Sequence, residues 1–472
     1  MKMNGLKQIA YFGLSTLLLK GLGFALLPIS TRLLSPAQFG ELNFLVSISA
    51  VMSLLLCLGL PELLFKQQMK SVVFKQALFR DALILCSVLS TAFVIAVVLF
   101  ADLLLNLLPI SVNQIDLQLL AVNLAFSSVL SIVFCFFRYY EMAKQFCYLA
   151  VLQGVGQTLL TIILLYLGYG VTGVMLSGVV ASFIVLILSL WQIARTINIS
   201  FKCIAWNITP KNTLFLLSII VSSLFVYANN GAENWYIVAS VGKEKLAQYY
   251  VALQFAVMTS FTFEPIRMWW FSRRFDELTS SRNHYVFLCE LSLEIAITLC
   301  CIMLLLAPHL FTLVLPQNYL LNAWLLPSLI LIVVLRHHSD LLNIGCYVHY
   351  NGLFVTIINA VSATSVLIAL SFLVPKWGIL GAVVSLALAQ TLKTLLFVVI
   401  SQKLEHLAFK VHSLLPSWLC FILVFSLSVT QVTYYIVGQV AVLICLFAVL
   451  FKKYKHHITG ILQRLLARKA HG

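Results

Sequence analysis

Long apolar runs separated by short polar breaks fill this chain from residue 9 to residue 451. A helix that crosses a bilayer needs about 20 apolar residues, each rising ~1.5 Å. By that measure the pattern predicts fourteen spans: 9–30, 42–64, 82–107, 117–137, 147–167, 171–192, 213–238, 246–268, 285–306, 320–345, 353–374, 378–400, 414–430 and 433–451. Closely spaced neighbours read as hairpins, broken at Tyr166-Leu167-Gly168-Tyr169-Gly170, at Pro375-Lys376-Trp377-Gly378 and at Thr430-Gln431-Val432. The first run follows Lys2 and Lys7 and is longer than the apolar core of a signal peptide, so it reads as a retained first helix. Strand-period alternation is absent, which excludes an outer-membrane barrel. The predicted fold class is an all-α integral membrane protein of about fourteen transmembrane helices.

The pattern repeats. Tyr169-Gly170-Val171-Thr172-Gly173 and Trp377-Gly378-Ile379-Leu380-Gly381 share an aromatic before a glycine and a second glycine three later. Each continues to a serine (Ser177, Ser385) and an alanine (Ala181, Ala389), and the two are 208 residues apart. Tyr139 and Tyr347 stand at the same offset, and Ser35-Pro36 lies 207 before Gly242-Lys243. One shared offset argues for duplication. The offset covers six spans, an even number, so the copies keep the same orientation as parallel repeats around a cavity. The domains expected are an N-lobe over 1–200, a C-lobe over 201–412, an additional helix pair over 413–451 and a tail over 452–472.

Composition and charge sharpen this reading. The 472 residues are 62% hydrophobic and 10% charged, with mean hydropathy +1.03, where a soluble domain carries about 25% charged residues. The formal charge of +15 is not a sign of nucleic acid, because the Lys and Arg follow the loops. With the N-terminus inside, inner segments hold 22 of the 30 and outer loops only Arg32, Lys243, Lys245 and Lys376. That asymmetry predicts an even span number with both termini cytoplasmic. In the tail, Ile458, Ile461, Leu462 and Leu465 form a stripe beside Arg464, Arg468 and Lys469, the pattern of a basic helix on an anionic leaflet. The outer loops are too short for a catalytic ectodomain. The eleven cysteines show no metal or disulfide spacing, and the adjacent His337 and His338 would diverge by about 100° on a helix, a poor chelating pair. No catalytic arrangement and no nucleotide-binding motif is present, so the reading is a transporter without a cofactor, driven by a proton or sodium gradient or by its substrate.

Charges inside spans carry the functional signal, because each costs at least ~2.5 kcal/mol near the bilayer centre. Lys20 lies about eleven residues into span 1 with no carboxylate three or four positions away; it either meets a partner from another span or faces an anionic substrate. Lys393 in span 12 either snorkels to the cytoplasmic face or enters a cavity. Arg267 follows Glu264 and Arg336 precedes Asp340 at helical spacing, so each is a self-neutralised pair or a cavity cation. Glu294 has no helix-local cation, and a buried carboxylate can trade protons near neutrality, which makes it a candidate coupling site. Glu233 sits in the polar stretch Asn229-Asn230-Gly231-Ala232-Glu233-Asn234, where Asn229, Asn230, Glu233 and Asn234 recur at helical spacing and are expected to line water.

The stretch Pro28-Ile29-Ser30-Thr31-Arg32-Leu33-Leu34-Ser35-Pro36-Ala37-Gln38-Phe39-Gly40 resembles the first-helix end of bacterial polysaccharide exporters of the O-antigen flippase type. The polar span 7, followed by Val241-Gly242-Lys243-Glu244-Lys245-Leu246-Ala247-Gln248-Tyr249-Tyr250, resembles their seventh-helix motif, with Glu233-Asn234 and Gln248-Tyr249 where the family shows Asp-Arg and Gly-Tyr. The resemblance extends to lipid II flippases and MATE drug antiporters. It implies a two-lobed MATE-like fold in the bacterial inner membrane that moves a polyprenyl-diphosphate-linked oligosaccharide, an O-antigen or related repeat unit, to the periplasmic leaflet. With that substrate, Lys20, Arg267, Lys393 and Arg336 are expected to hold the diphosphate, and glycan polymerase and chain-length machinery to be partners. Glu233, Asn230 and Glu294, read from their polarity and expected burial, are the candidate cavity and ion-coupling groups. A cation-coupled drug antiporter is the alternative.

Overall fold

The computed structural model describes residues 5–66, 72–196, 210–316, 319, 322–348, 353–409, 411–431 and 433–470. Every element among them is a helix; the predicted spans 42–64, 82–107 and 213–238 are each split into two helices, and residues 320–321 of the predicted span 320–345 lie outside the described residues. Among the described residues, nine helices are long and apolar enough to cross a membrane, and a tenth span is a bent pair. Two shorter apolar stretches, Gly21–Leu33 and Leu414–Thr430, accompany them.

The first helix, α1 (Gly5–Leu33), gives way to α2 (Pro36–Cys57) at Ser35. Ser35 Oγ accepts from Gln38 N at 3.2 Å, Gln38 Oε1 accepts from Ser35 N at 3.0 Å, and Pro36 opens the helix. This capping box satisfies two backbone donors that lipid cannot. The second predicted span is two pieces, because Leu58 and Gly59 turn left-handed (φ 51° and 68°) and end α2 before the short α3 (Leu60–Lys66). The third is likewise α4 (Val72–Leu99) followed by α5 (Ala101–Leu107). α6 (Gln114–Tyr139), α7 (Ala143–Tyr166) and α8 (Gly170–Thr196) complete the first copy. In the second copy α9 (Pro210–Ala228) and α10 (Glu233–Val241) lead to the long α11 (Lys243–Ser280) and α12 (Arg282–Val314). α13 (Leu325–Leu341), α14 (Ile344–Val348), α15 (Leu353–Trp377) and α16 (Ile379–Leu404) follow. Outside the repeat stand α17 (Val411–Thr430) and α18 (Tyr435–Ala470), the latter running unbroken from the last span into the basic tail.

Contacts group these helices into two compact units. One holds the chain as far as Val251 with Val314–Tyr319 and Asn359–Ser385; the other holds Ala252–Leu313, Leu320–Ile358 and the chain from Leu386 onward. In the first unit α4, α6, α7 and α8 pack Leu78, Phe79, Ile132, Val133, Phe136 and Val185 into one buried cluster, which α3 closes with Leu60 and Leu63. In the second, Trp270, Tyr285, Cys289, Leu293, Leu341 and Leu407 form the core. The outward faces keep large apolar groups such as Leu99, Leu103, Phe372 and Val437 exposed, as lipid allows.

Both hairpins of the repeat are built alike. Gly170 and Gly378 take φ of 55° and 56°, a left-handed turn that side chains resist. Gly173 and Gly381 then let the two arms close: a Cβ on Gly173 would lie 2.9 Å from that of Leu164, and one on Gly381 would strike the Leu373 carbonyl. Ser177 and Ser385 are fully buried one turn further on, and Ala181 and Ala389 beyond them. The same sequence signature therefore folds the same way twice.

Candidate functional site

The seventh predicted span is broken. α9 and α10 meet at a 46° bend across Asn229–Ala232, so a stretch read as polar lining is a discontinuity in the backbone. Carbonyls freed by such a break need donors inside a membrane. Asn230 Nδ2 supplies one to Val226 O at 2.8 Å, and Asn229 Nδ2 donates at 2.8 Å to Phe225 O, which also keeps its backbone bond from Asn229 N at 3.3 Å. Around the break lies a polar network within the first unit. Tyr227 Oη shares a hydrogen bond with Ser47 Oγ at 2.9 Å and accepts from Trp235 Nε1 at 3.0 Å. Asn234 Nδ2 donates to Ser47 Oγ at 3.3 Å, and Ser362 Oγ donates to Asn229 Oδ1 at 2.6 Å. Glu233 opens α10, where the helix dipole favours a carboxylate. It is 2% exposed, and its Oε1 accepts from Tyr249 Oη at 3.0 Å. Asn230, by contrast, is exposed, and the residue that joins the network is its neighbour Asn229.

Close to this junction in the same unit, α2 and the start of α11 touch. A Cβ on Gly40 would run into the Lys243 carbonyl, so only glycine permits the approach. Beside it Lys243 Nζ pairs with Glu41 Oε2 at 3.0 Å.

The second unit gathers charge. Gln390 Nε2 donates to Ser339 Oγ at 3.2 Å and Thr394 Oγ1 to Leu335 O at 3.1 Å, stitching α16 to α13. Between those two residues Lys393 is half-buried, within the electrostatic reach of Asp340 and Arg336, and 6.0 Å from the Phe397 ring. Two of the predicted cations are thus brought together with a carboxylate. Glu294, 1% exposed on α12, has found a partner 159 residues away: Lys453 Nζ of α18 lies 2.6 Å from its Oε1. Glu294, Thr298 and Tyr454 are the residues with polar side-chain groups on an otherwise apolar groove of about 660 Å³ between α12 and α18. The side chains of Lys20 on α1 and Arg267 on α11 lie outside the described ones. His337 bonds Ser292 at 3.2 Å while His338 bonds Val334 O at 2.8 Å, so the two rings serve separate neighbours. Among the described residues no group of three His, Cys, Asp or Glu is placed to hold a metal.

Ser47, Tyr227, Tyr249 and Ser362 are the members that spacing did not single out. Hydroxyls are common in spans, and nothing local marks those that meet a partner from a distant helix.

A family model described as polysaccharide biosynthesis protein matches residues 6–271. No curated protein matches the sequence. Among solved structures, the lipid II flippase MurJ in an inward closed conformation superposes with a TM-score of 0.71 at 15% identity, covering 95% of this chain and 99% of that one. An inward-facing multidrug resistance MATE family transporter of the MOP superfamily gives 0.59 at 14% identity, over 85% of this chain and 94% of that one. An outward-facing transporter of the same kind gives 0.55 at 13%, over 85% and 96%. At such identities the likeness establishes the fold: an all-helical, multi-pass membrane architecture shared with flippases and transporters. With the family match spanning more than half of its length, this chain belongs to the polysaccharide biosynthesis protein family.

Proposed function

We propose that the protein carries a polyprenyl-diphosphate-linked oligosaccharide, an O-antigen or related surface-polysaccharide repeat unit, from the cytoplasmic to the periplasmic leaflet of the bacterial inner membrane by alternating access. The observation that carries this reading is the cluster of Lys393, Arg336 and Asp340 on two spans of a chain in a polysaccharide biosynthesis family. Lysine and arginine at membrane depth suit a diphosphate, whose doubly charged oxygens gain most from cations where water is scarce. Asp340 offsets one of the two positive charges and leaves the cluster net cationic while the site is empty. Lys20 and Arg267 complete the cationic set. The groove between α12 and α18 offers an apolar bed for the prenyl chain, and the Gly40–Lys243 junction, on the outer side in the charge-derived topology, is the outer gate. Both termini are cytoplasmic, and polymerase and chain-length machinery receive the product.

Energy comes from a proton or sodium gradient, with Glu233 at the broken span as the coupling carboxylate; broken spans are where transporters hold ions. Glu294, held by Lys453, ties the last helix to α12. The same buried Glu233 supports the alternative, a cation-coupled antiporter of small molecules.

The test is the lipid-linked oligosaccharide pool of a host lacking the gene. Accumulation on the inner leaflet with loss of surface polymer supports flipping; an unchanged pool with altered drug or cation efflux supports the antiporter. Within the site, Lys20→Arg is expected to retain transport and Lys20→Ala to abolish it.

A further inference from the structure

The first unit contains a recess of about 270 Å³ enclosed by α2, α3, α6 and α9. Its lining includes five serines, Ser128 and Ser131 among them, with the thiol of Cys57, the carboxylate of Glu62 and an apolar side made by Ile219 and Ile220. The left-handed pair Leu58–Gly59 creates it by turning the chain away at the end of α2. Ser128 is 2% exposed and its hydroxyl has no oxygen or nitrogen partner, only the Cys57 thiol beside it. Buried hydroxyls are ordinarily satisfied, so one left over at the wall of a cavity points to what the cavity takes.

The space is far larger than a bare ion, and one carboxylate with hydroxyls is a weak cation cage. Ser53 and Ser127 already donate to Ala50 O and Asn123 Oδ1, so they offer lone pairs, while Ser128 keeps its proton for a ligand. Ile219 and Ile220 add a branched apolar surface to the same recess. That combination matches a pyranose ring, whose rim is hydroxyl and whose faces carry C–H groups. We propose that this recess binds one sugar ring, neutral or amino-substituted. Glu62 accepts from its hydroxyl or N–H groups and disfavours a uronic acid, whose carboxylate would meet a like charge. The inference takes its source of sugar from the glycan reading above, while the chemistry of the recess stands on its own lining.

Cys57 reports occupancy. The full-length protein in lipid nanodiscs is treated with a small methanethiosulfonate reagent, and modification of Cys57 is followed by peptide mass spectrometry with an added cysteine-containing peptide as internal reference. The probes are the methyl glycosides of galactose, mannose, glucose, N-acetylglucosamine and N-acetylgalactosamine, with methyl glucuronide as the acidic comparison. At twice its Kd a bound glycoside slows Cys57 modification roughly threefold, leaving the reference peptide unchanged. Glucuronide is expected to protect only after Glu62→Gln, and Ser128→Leu, which fills the recess, to remove protection altogether. Absence of protection by every neutral and amino glycoside overturns the proposal, as does equal protection by glucuronide with Glu62 intact. Binding of polyprenyl diphosphate to the same preparation separates the two readings. Lipid binding without protection sinks the recess alone, and protection without lipid binding sinks the transport reading alone.

Discussion

The two copies of the repeat share a frame and part company in what they place on it. In the first, Thr161 and Ser177 share a hydrogen bond at 2.6 Å across the α7–α8 hairpin, and Ser182 donates to Asn123 of α6 at 3.0 Å. In the second, Ser385 returns its proton to Gly381 O at 2.7 Å within its own helix. At the 208-residue offset, Lys393, Arg336 and Asp340 stand where the first copy has Val185, Ser128 and Ile132. Those three are buried, at 1%, 2% and 0% exposure. The first copy thus puts hydrocarbon and one hydroxyl on the same helix pair that carries charge in the second. Duplication kept the glycines that set the backbone and freed the facing positions, so one copy supplies the scaffold and the other the electrostatics.

The largest effect should come from erasing this difference. Val185→Lys places a cation at this buried position of the first copy at a cost of at least ~2.5 kcal/mol; loss of folded protein in a detergent thermal-stability assay is expected, and normal stability would show that the position is open. Next, Gly381→Val should destabilise more than Gly173→Val. The first would overlap the Leu373 backbone at its carbonyl oxygen, whereas the second meets the Cβ atoms of Leu164 and Tyr169 at 2.9 Å. Overpacking costs about 1–3 kcal/mol, and the backbone clash belongs at the upper end. Equal midpoints in the same assay would break the claim that the second hairpin is the tighter. In transport, Lys393→Met is expected to lower the flipping rate about tenfold to hundredfold, the range for one lost charge-assisted contact. Lys393→Met combined with Asp340→Asn should recover part of it, and strict additivity in reconstituted vesicles would separate the two groups. The smallest effect is at the hydroxyls: Ser177→Ala should cost about 1 kcal/mol, because Thr161 loses its partner, and Ser385→Ala less.

The spans and both hairpins were legible in the sequence because lipid imposes a length and a polarity that few residues can evade. Gly170 and Gly378 were legible because a left-handed turn leaves a chemical signature. Lys393 and Arg336 were legible because charge at membrane depth is rare. The break at Asn229–Ala232 was visible only as polarity, since an asparagine that caps a carbonyl and one that faces water look alike in sequence. The pairings Ser47–Tyr227 and Glu294–Lys453 were not legible at all: they join residues 180 and 159 apart, and no period links them. The length of α18 was hidden for another reason. Lysines mark where a helix leaves the membrane, but helix propensity is indifferent to that boundary.

The asparagines at the break make the kinked span self-solvating. The Asn230 amide occupies Val226 O, whose helical donor has turned to Tyr227 O, and the Asn229 amide adds a second donor at Phe225 O, so the bend brings its solvent along as covalent structure. A joint of this kind can flex in a medium without water and leave no backbone group stranded. Its compliance is therefore set by side-chain rotamers, which turn over far faster than a hydrogen-bonded helix unwinds.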